Sequence, residues 1–338
     1  MENDTLTVKK GGGYVKRILA VISMCTLLLC LCACGTQTAL PTRTGFAMDT
    51  VVSITVYDNG TADAQAALDA GFAEIARLEA LLSATVESSD ISRINRAEGQ
   101  TVNVAPETAE VLSLALQYAA LSDGALDVTI RPVSALWDFS AGIVPDTTAL
   151  EAAIQTVDHR HLTVDSVSVT LSKGAVDLGG IAKGYIGDRV AQVLRQHGVE
   201  AALIDLGGNI VTVGDKNGKP FQIGIKDPQK TDELCAAVQG SNCAVVTSGI
   251  YERGFDKDGV RYHHILDPKT GMPVQNTLAS VTVLCETSAD ADALSTACFV
   301  LGEEKGRILI DKLDGVEALW VRRDGTIAAS DGLAYTVL

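Results

Sequence analysis

The chain has 338 residues, 47% of them hydrophobic, and a formal net charge of −15 at pH 7. A surface this acidic repels nucleic acid and anionic lipid, so the composition argues against a nucleic-acid-binding protein. The length and the apolar content suffice for one large core or two smaller ones.

The N-terminal residues have the pattern of a secretion signal. Basic residues between Lys9 and Arg17 precede an apolar stretch from Ile18 to Leu31, which is too short to span a bilayer comfortably. The next residues, Leu31-Cys32-Ala33-Cys34-Gly35, resemble the bacterial lipobox, in which the cysteine is lipidated and becomes the first residue of the mature protein. We therefore predict a lipoprotein signal peptide over residues 1–33 and a polar tether over residues 34–44. The body is then expected on the extracytoplasmic side of the cell membrane, anchored through Cys34. The alternative is an ordinary cleaved signal or an uncleaved anchor, with Cys34 an incidental thiol.

The cysteines of the body do not indicate a function. Four of the eight cysteines lie in the signal region, and the body keeps Cys235, Cys243, Cys285 and Cys298. Their spacings do not resemble a zinc site. Two interpretations remain open. Cys235 and Cys243 form a disulfide, or all four cysteines are free thiols that serve as small buried hydrophobic side chains.

Hydrophobic spacing predicts mixed strands and helices in the first half of the body. The predicted elements are a strand at Val51–Tyr57 with a turn at Asp58-Asn59-Gly60, helices from about Thr61 to Leu82, from Pro106 to Asp123 and from Asp146, and strands at Leu162–Val164 and Val167–Leu171. The helix that begins at Pro106 is expected to bury Val111, Leu114, Tyr118 and Leu121.

The second half continues the mixture without a regular βαβ repeat, which favours an α+β fold. The predicted elements are a strand at Ala175–Leu178, a helix from Ile181 to His197, strands at Ala201–Leu206, Ile210–Val213 and near 220–225, 243–247 and 279–284, helices near 288–301 and 303–313, and a hairpin at Asp324-Gly325. No linker forces a division, so a single domain is expected over residues 45–338.

The segment from Asp177 to Gly184 places the Gly179-Gly180 turn directly before a helix N-terminus. Free backbone N–H groups and the positive end of the helix dipole suit a phosphate there. The glycine spacing matches neither a Walker A loop nor GxGxxG. Taken alone, the segment favours the plainer interpretation, a tight turn whose glycines serve positive φ angles.

The segment from Thr287 to Thr296 places a carboxylate and a hydroxyl on one helix face. Asp292 and Thr296 are four residues apart, with Ser288 as a candidate N-cap and Asp290 in the first turn. Such a pair offers two hard oxygens to Mg2+, which uses few protein ligands and takes the rest from substrate phosphates. In isolation, helix capping with a solvated acidic turn is the favoured alternative.

The third segment runs from Tyr262 to Gly271 and contains paired histidines before an Asp-Pro turn. His264 on the rim of a strand can accept a proton from an attacking hydroxyl group. The alternative is a histidine that only packs on its neighbours. Adjacent strand residues point to opposite faces, so His263 and His264 should not chelate one metal together.

Taken together, segments along nearly the whole body resemble the FAD:protein FMN transferases, the ApbE-type lipoproteins, and they run in that family's order. The matching segments are Phe46 to Thr50, Leu82-Ser83, Ser89 to Asn95, Gly124 to Pro132 with Leu136-Trp137, Val176 to Gly184, Val246 to Gly249 with Tyr251-Glu252, His264 to Pro268, and Ala291 to Thr296. The resemblance implies a single mixed catalytic domain of the ApbE type, which is T-fold-like.

The resemblance also implies roles for individual residues. Asp292, Thr296 and the carbonyl of Gly180 fall where the family ligates Mg2+. His264 falls at the histidine proposed to assist the transfer, in which Asp292 also takes part through the metal. The positions that fall at flavin-nucleotide contacts are Met48, Ala125, Leu126, Asp127, Asp177, Lys183 and Leu266.

Two departures from the family pattern matter. The family often has Gly after the Met of its first motif, where this chain has Asp49. Some members place a Tyr in contact with FAD two residues after the Ser of the Leu-Ser motif, where this chain has Thr85. Thr85 cannot stack on a ring as that Tyr does.

The implied activity is Mg2+-dependent cleavage of FAD, with transfer of FMN to a Thr or Ser hydroxyl of an acceptor protein and release of AMP. Acceptors implied by the family are membrane electron-transfer subunits of the Rnf or Na+-pumping NADH:quinone oxidoreductase type, or extracellular flavoproteins. One alternative is a pyrophosphatase that hydrolyses FAD to FMN and AMP. The other, of a different class, is a lipoprotein that binds flavin without chemistry.

Overall fold

The structure is a computed structural model that describes residues 40–57 and 63–338. The predicted signal peptide, the lipidated Cys34 and the turn at residues 58–60 lie outside the described residues. Within the part of the chain that is described, no helix is both long enough and apolar enough to cross a membrane.

Strands and helices alternate irregularly along the chain, as an α+β fold requires. The strands are β1 (Thr42–Ala47), β2 (Thr50–Val56), β3 (Val102–Asn103), β4 (Leu162–Asp165), β5 (Ser168–Leu171), β6 (Ala202–Leu206), β7 (Asn209–Val213), β8 (Phe221–Asp227), β9 (Lys230–Gly240), β10 (Ala244–Gly249), β11 (Gly254–Lys257), β12 (Val260–His263), β13 (Leu278–Cys285), β14 (Glu317–Arg322), β15 (Ile327–Ala329) and β16 (Tyr335–Val337). The helices within the described ranges are α1 (Ala64–Leu82), α2 (Asp90–Asn95), α3 (Pro106–Leu121), α4 (Arg131–Ser134), α5 (Thr147–Ile154), α6 (Ala182–Gln196) and α7 (Ser288–Ile310), with a short 3-10 turn at His159–His161.

An antiparallel sheet of eight strands, in the order β1-β2-β6-β7-β10-β13-β14-β15, forms the centre of the molecule. Successive residues of a strand point to opposite faces of a sheet, and both faces of this one are covered. Val246 of β10 belongs to the core that α1, α6 and α7 complete. The preceding residue, Val245, belongs to a smaller core against β8 and β9. The helices and the three-stranded sheet β16-β9-β8 therefore cover opposite faces.

Most predicted elements are confirmed, including the two helical stretches near 288–313. They form α7, which is interrupted at Gly302, where φ is 79°. The Asp324-Gly325 turn joins β14 to β15 as expected. Strand β1 begins at Thr42, inside the segment expected as tether, because its residues pair with β2 from Thr42 opposite Thr55 onwards.

The strand predicted at Ala175–Leu178 is wrong. Ala175 makes only an isolated bridge to Ile130. The side chain of Asn95 hydrogen-bonds with both backbone groups of Val176 instead. Its N–H donates to the Val176 carbonyl at 2.9 Å, and its oxygen accepts from the Val176 N–H at 2.6 Å. At Val176, an amide side chain thus takes the hydrogen bonds that a neighbouring strand would make if Ala175–Leu178 were a strand.

Two further expectations are corrected. Leu121 is 43% exposed, because the buried face of α3 is centred on Val111, Leu112 and Ala115. Cys235 and Cys243 are free thiols, so the possible disulfide is not formed. The thiol of Cys243 instead lies 3.6 Å from the Thr212 hydroxyl.

Candidate functional site

The N-terminal turns of α6 and α7 meet in the interior of the molecule. Gly184 of α6 lies against the backbone of Ser288 and Ala289, and a Cβ on Gly184 would overlap the carbonyl oxygen of Ser288. Only glycine allows two backbones to approach so closely. The Gly179-Gly180 turn and the first turn of α7 are therefore held side by side.

Asp292 occupies the contact between these helices and is only 3% exposed. Its Oδ2 accepts a hydrogen bond from the Gly184 N–H at 3.0 Å, and its Oδ1 lies 3.8 Å from Nζ of Lys183. The Lys183 ammonium also donates to the carbonyl of Gly179 at 3.4 Å. A buried carboxylate thus receives partial compensation from a half-exposed lysine and a helix N-terminus.

Thr296 lies one turn further along α7, on the same side as Gly180. Its hydroxyl is 3.4 Å from the position that a Cβ on Gly180 would take. The hydroxyl of Ser248 lies 3.3 Å from that of Thr296 and 2.9 Å from that of Ser295. The structure therefore brings together all three predicted metal ligands, Gly180, Asp292 and Thr296.

This set of oxygens fits a hard cation. The described ranges contain no cluster of three or more His, Cys, Asp or Glu side chains arranged to hold a metal. One carboxylate, one hydroxyl and one backbone carbonyl leave most of an octahedral shell to water and phosphate oxygens, which is the manner in which Mg2+ is usually bound. Softer metals would need thiolate or imidazole ligands, and these three residues supply none.

Asp177 fixes the glycine turn. Its Oδ1 accepts from the Gly179 N–H at 3.0 Å, and its Oδ2 accepts from the Ser134 hydroxyl at 3.0 Å and lies 3.5 Å from the Arg131 guanidinium. Leu126 packs over the same turn, with its Cδ1 3.0 Å from the Cβ position of Gly180. Two predicted flavin-nucleotide residues thus lie at the turn itself.

Asp127 is buried, and its carboxylate joins its own loop to the 3-10 turn at His159–His161. Oδ1 accepts from the N–H and the hydroxyl of Thr129, and Oδ2 accepts from the His159 N–H at 2.8 Å. Ala125 is buried beside it, and Leu266 is buried in a separate small core with Val133 and Trp137. Flavin contacts through these three residues stay predictions.

Met48 lies at the tip of the β1–β2 hairpin. Met48 and Asp49 both have positive φ angles, 51° and 57°. A two-residue hairpin turn with both φ angles positive favours glycine or asparagine, which explains why glycine suits the position of Asp49. The Met48 N–H donates to Glu79 near the end of α1 at 2.8 Å. Thr50 abuts Gly207, and Leu206 abuts Gly187 of α6, so the hairpin tip and α6 both neighbour the Leu206-Gly207 segment.

His264 follows directly after β12 and is exposed to solvent, whereas His263 is fully buried. The prediction that the two rings point to opposite sides is confirmed. Neighbouring protein atoms desolvate the imidazole of His264 although the residue reaches solvent, and this desolvation lowers its pKa to about 4. The positive charges of Lys183 and Arg253 also lower the pKa. Nδ1 of His264 lies 3.3 Å from the carbonyl oxygen of Arg253. Because a carbonyl only accepts, Nδ1 carries the proton in that hydrogen bond and Nε2 keeps a lone pair.

A groove of about 710 Å³ lies between α3, α6 and the N-terminus of α7, and none of the predicted site residues lines it. Its walls mix acids such as Glu110 and Asp290 with bases such as Arg189 and Arg195. Mixed charge of this kind gives no preference for a polyphosphate. The α6–α7 junction, where Nζ of Lys183 lies 3.8 Å from the Asp292 carboxylate and 3.4 Å from the Gly179 carbonyl, is therefore the better candidate for the site.

Three contributors were missed from the sequence: Ser248, Gly184 as a contact glycine, and Asp188. Asp188 accepts hydrogen bonds from the backbone at the start of α7. A signal was present for it, because a carboxylate stands among the small residues Gly184, Gly187 and Ala191 on one face of α6. No signal marked Ser248 apart from its place in the Val246 to Gly249 segment.

Comparison with known proteins shows the family of the chain. The sequence model of the ApbE family matches residues 48–320. A curated FAD:protein FMN transferase from Treponema pallidum is 37% identical over 318 residues, which cover 87% of this chain and 88% of that protein. A second one, from Haemophilus influenzae, is 33% identical and aligns over 96% of this chain and 99% of its own length.

Solved structures show the same fold. The crystal structure of the ApbE protein of Thermotoga maritima superposes with a TM-score of 0.79 at 34% identity, covering 86% of this chain and 96% of that one. The flavin transferase ApbE from Vibrio cholerae superposes with a TM-score of 0.77 at 31% identity, covering 86% and 96%. Nearly the full length of each solved chain is thus matched.

Proposed function

The chain belongs to the ApbE family and is an FAD:protein FMN transferase, and we propose that it uses Mg2+ to move FMN onto a Ser or Thr hydroxyl of an acceptor protein. The observation that carries this proposal is the convergence of Gly180, Lys183, Asp292 and Thr296 at the α6–α7 junction. We propose that these residues hold a metal and a pyrophosphate, because the pyrophosphate is the part of FAD that must be cleaved.

Asp292, Thr296 and the Gly180 carbonyl would hold the metal. Bound Mg2+ would neutralise the pyrophosphate and stabilise the charge that develops on the AMP leaving group. Lys183 and the N-terminus of α6 supply further positive potential from the protein itself. This local charge is needed because the chain as a whole carries a net charge of −15.

His264 is suited to accept the proton of the attacking hydroxyl. The neutral ring is the form that can act as a base, and its lowered pKa keeps it neutral at physiological pH. With Nδ1–H donating to the Arg253 carbonyl, Nε2 is the free acceptor. Its position on the exposed rim lets an acceptor protein reach it from solvent.

The reaction balances with these groups. The acceptor oxygen forms a bond to the phosphorus of the FMN half, and the bond from that phosphorus to the bridging oxygen of AMP breaks. The hydroxyl proton moves to Nε2 of His264. The product is FMN in a phosphoester with the acceptor, and AMP carries away the bridging oxygen.

We further propose that the enzyme acts on the extracytoplasmic side of the membrane, anchored through Cys34. The residue pattern from Lys9 to Gly35 supports this location. Acceptors in that compartment would be membrane electron-transfer subunits of the Rnf or Na+-pumping NADH:quinone oxidoreductase type, or extracellular flavoproteins.

Asp292→Ala tests the site directly. It removes the one carboxylate among the proposed ligands, so we expect loss of both Mg2+ binding and FMN transfer, with transfer reduced about 1,000-fold or more. Transfer is followed as covalent flavin fluorescence on a candidate acceptor after denaturing electrophoresis. Asp292→Asn, which can still accept the Gly184 hydrogen bond, separates ligand loss from misfolding.

The matched control is Asp290→Ala, two residues away on α7, whose carboxylate hydrogen-bonds Tyr118 rather than facing the junction. It should transfer FMN at the wild-type rate. If Asp292→Ala also transferred normally with Mg2+, the proposed site would be wrong. AMP release without any acceptor distinguishes hydrolysis from transfer, because a transferase releases AMP rapidly only when an acceptor hydroxyl is present.

A further inference from the structure

Asp188 joins the two helices that form the proposed metal and phosphate site. Its Oδ1 accepts from the Ser288 N–H at 2.7 Å, and its Oδ2 accepts from the Ala289 N–H at 2.9 Å. Both carboxylate oxygens of a residue on α6 are thus used by the first turn of α7.

The first N–H groups of a helix have no partner within the helix and must find one elsewhere. Usually the preceding residue supplies it, but here the Thr287 hydroxyl accepts only from the Asp290 N–H, and at the long distance of 3.4 Å. Asp188 satisfies the two N–H groups that Thr287 does not. The first turn of α7 is therefore held by α6 as well as by its own N-cap residue.

This tie acts on the residues of the site. Asp188 lies one turn after Gly184, whose N–H binds Asp292, and Ser288 lies one turn before Asp292. The Asp188 hydrogen bonds and the Gly184 hydrogen bond therefore fix α6 against α7 at adjacent turns. Lys183 is carried by one helix, whereas Asp292 and Thr296 are carried by the other.

We propose that Asp188 is a positioning residue. By holding α6 against α7, it sets the distance between Lys183 on α6 and the metal ligands Asp292 and Thr296 on α7. The inference rests on the proposed function, because it assumes that Asp292 and Thr296 ligate the metal. In this role Asp188 is not a ligand and acts through its hydrogen bonds with the backbone N–H groups of Ser288 and Ala289.

The environment of Asp188 is consistent with a role other than stability. Burial raises the pKa of this carboxyl to about 6, and the nearby negative charge of Asp290 adds to the rise. The two backbone N–H groups and Arg195 oppose it. Desolvation thus disfavours the ionised form of Asp188 at this position. The carboxylate nevertheless makes two hydrogen bonds that orient α7.

Asp188→Asn tests the proposal, since the amide keeps the size of the side chain but offers one acceptor oxygen where two N–H groups need one each. We expect the dissociation constant for Mn2+, used as a paramagnetic probe of the Mg2+ site and followed by loss of the free-ion EPR signal, to rise about 10-fold, as for other groups that orient metal ligands. FMN transfer should need more Mg2+ for half-maximal rate and recover at saturating Mg2+.

Asp146→Ala is the matched control. Asp146 also accepts from two backbone N–H groups, those of Thr148 and Ala149, but at the start of α5, which carries no site residue. It should leave the Mn2+ dissociation constant unchanged. Should Asp188→Asn fail to fold, Asp188→Glu replaces it, because the longer side chain keeps the charge and both oxygens but displaces α7.

The outcomes separate the two levels of the argument. If wild-type protein binds Mn2+ and the Asp188 variant binds it equally well, the positioning role is refuted and the metal site stands. If wild-type protein binds no Mn2+, the metal site falls and the positioning role falls with it. Weaker Mn2+ binding in the folded Asp188 variant, with Asp146→Ala unchanged, supports the role.

Discussion

The two sides of the site are built in different ways. On one side, the junction of α6 and α7 is buried and fixed by backbone contacts at Gly184 and by hydrogen bonds to Asp188 and Asp292. On the other side, His264 follows a two-stranded hairpin, β11–β12, whose aromatic residues Phe255 and Tyr262 are half-buried. The first side lies in the main core, whereas Tyr262 and Leu266 of the second side belong to a smaller core and Ile265, directly after His264, joins the main one.

This difference matches the two tasks of a group transfer between proteins. Charges that stabilise a pyrophosphate must keep their geometry, since preorganisation is the source of their effect. A base that meets a hydroxyl on another protein must instead be reachable. The packed helices supply Lys183 and Asp292, and the exposed rim supplies His264.

Gly184→Ala should break the rigid side and has the largest expected effect. The new methyl group would overlap the Ser288 carbonyl, which belongs to backbone and cannot rotate away. We expect a loss of about 3 kcal/mol or more in the free energy of unfolding, together with loss of FMN transfer. Urea unfolding followed by circular dichroism measures the first quantity.

Gly187→Ala is its matched control, three residues along the same helix. There a Cβ meets side chains, Val211 at 3.0 Å and Leu206 at 3.4 Å, which can adjust. Its effect on the free energy of unfolding should be at most about 1 kcal/mol, because alanine favours the helix. Equal effects of the two substitutions would contradict a backbone contact at Gly184.

His264→Ala should sharpen the comparison by acting on rate alone. Loss of the base is expected to slow FMN transfer about 100-fold, while Mn2+ binding and the free energy of unfolding stay unchanged, because His264 is not a proposed metal ligand and the residue is exposed to solvent. His197→Ala, at an exposed helix end, is the control. A large drop in stability for His264→Ala would show that the rim is structural.

The same residue predicts a pH dependence. The pKa of His264 is lowered to about 4, so the folded protein binds this proton less readily than the unfolded chain, whose histidine titrates near 6.5. The contribution of this group to stability is therefore lost as pH falls from about 6.5 through about 4. At saturating Mg2+, we therefore expect no decrease in the transfer rate from protonation of His264 near pH 6.5. That decrease should appear only near pH 4.

Much of this site could be predicted from local sequence. Asp292 and Thr296 are four residues apart on a helix, and Gly179-Gly180 precede a helix N-terminus, so their placement follows from helix geometry alone. Asp188 could not be placed in this way, since its partner Ser288 is 100 residues distant. Which helix ends meet depends on the packing of the whole sheet.

The fold divides in the same manner. Strands with alternating buried residues, such as β2, were predicted nearly to their ends. Strand β9 was missed because the first half of Lys230–Gly240 is exposed and polar and shows no alternation. The strand wrongly predicted at Ala175–Leu178 has the right residue types, but the Asn95 side chain takes the hydrogen bonds that a neighbouring strand would make.

Phe139→Ala has the smallest expected effect and tests whether the rim is independent of the helix junction. The Phe139 ring stacks on Trp137, with centroids 5.5 Å apart, and lies 6.3 Å from Phe255 of the hairpin that precedes His264. Its loss should lower the free energy of unfolding by about 1–2 kcal/mol through the lost ring contacts.

Because these rings belong to the small core and not to the α6–α7 contact, the Mn2+ dissociation constant of the Phe139→Ala variant should not change. The rate of FMN transfer should fall a few-fold as His264 becomes less well held. Urea unfolding, Mn2+ titration and the transfer assay measure the three quantities. Weaker Mn2+ binding in this variant would mean that the two sides are mechanically coupled and that the contrast between them does not hold.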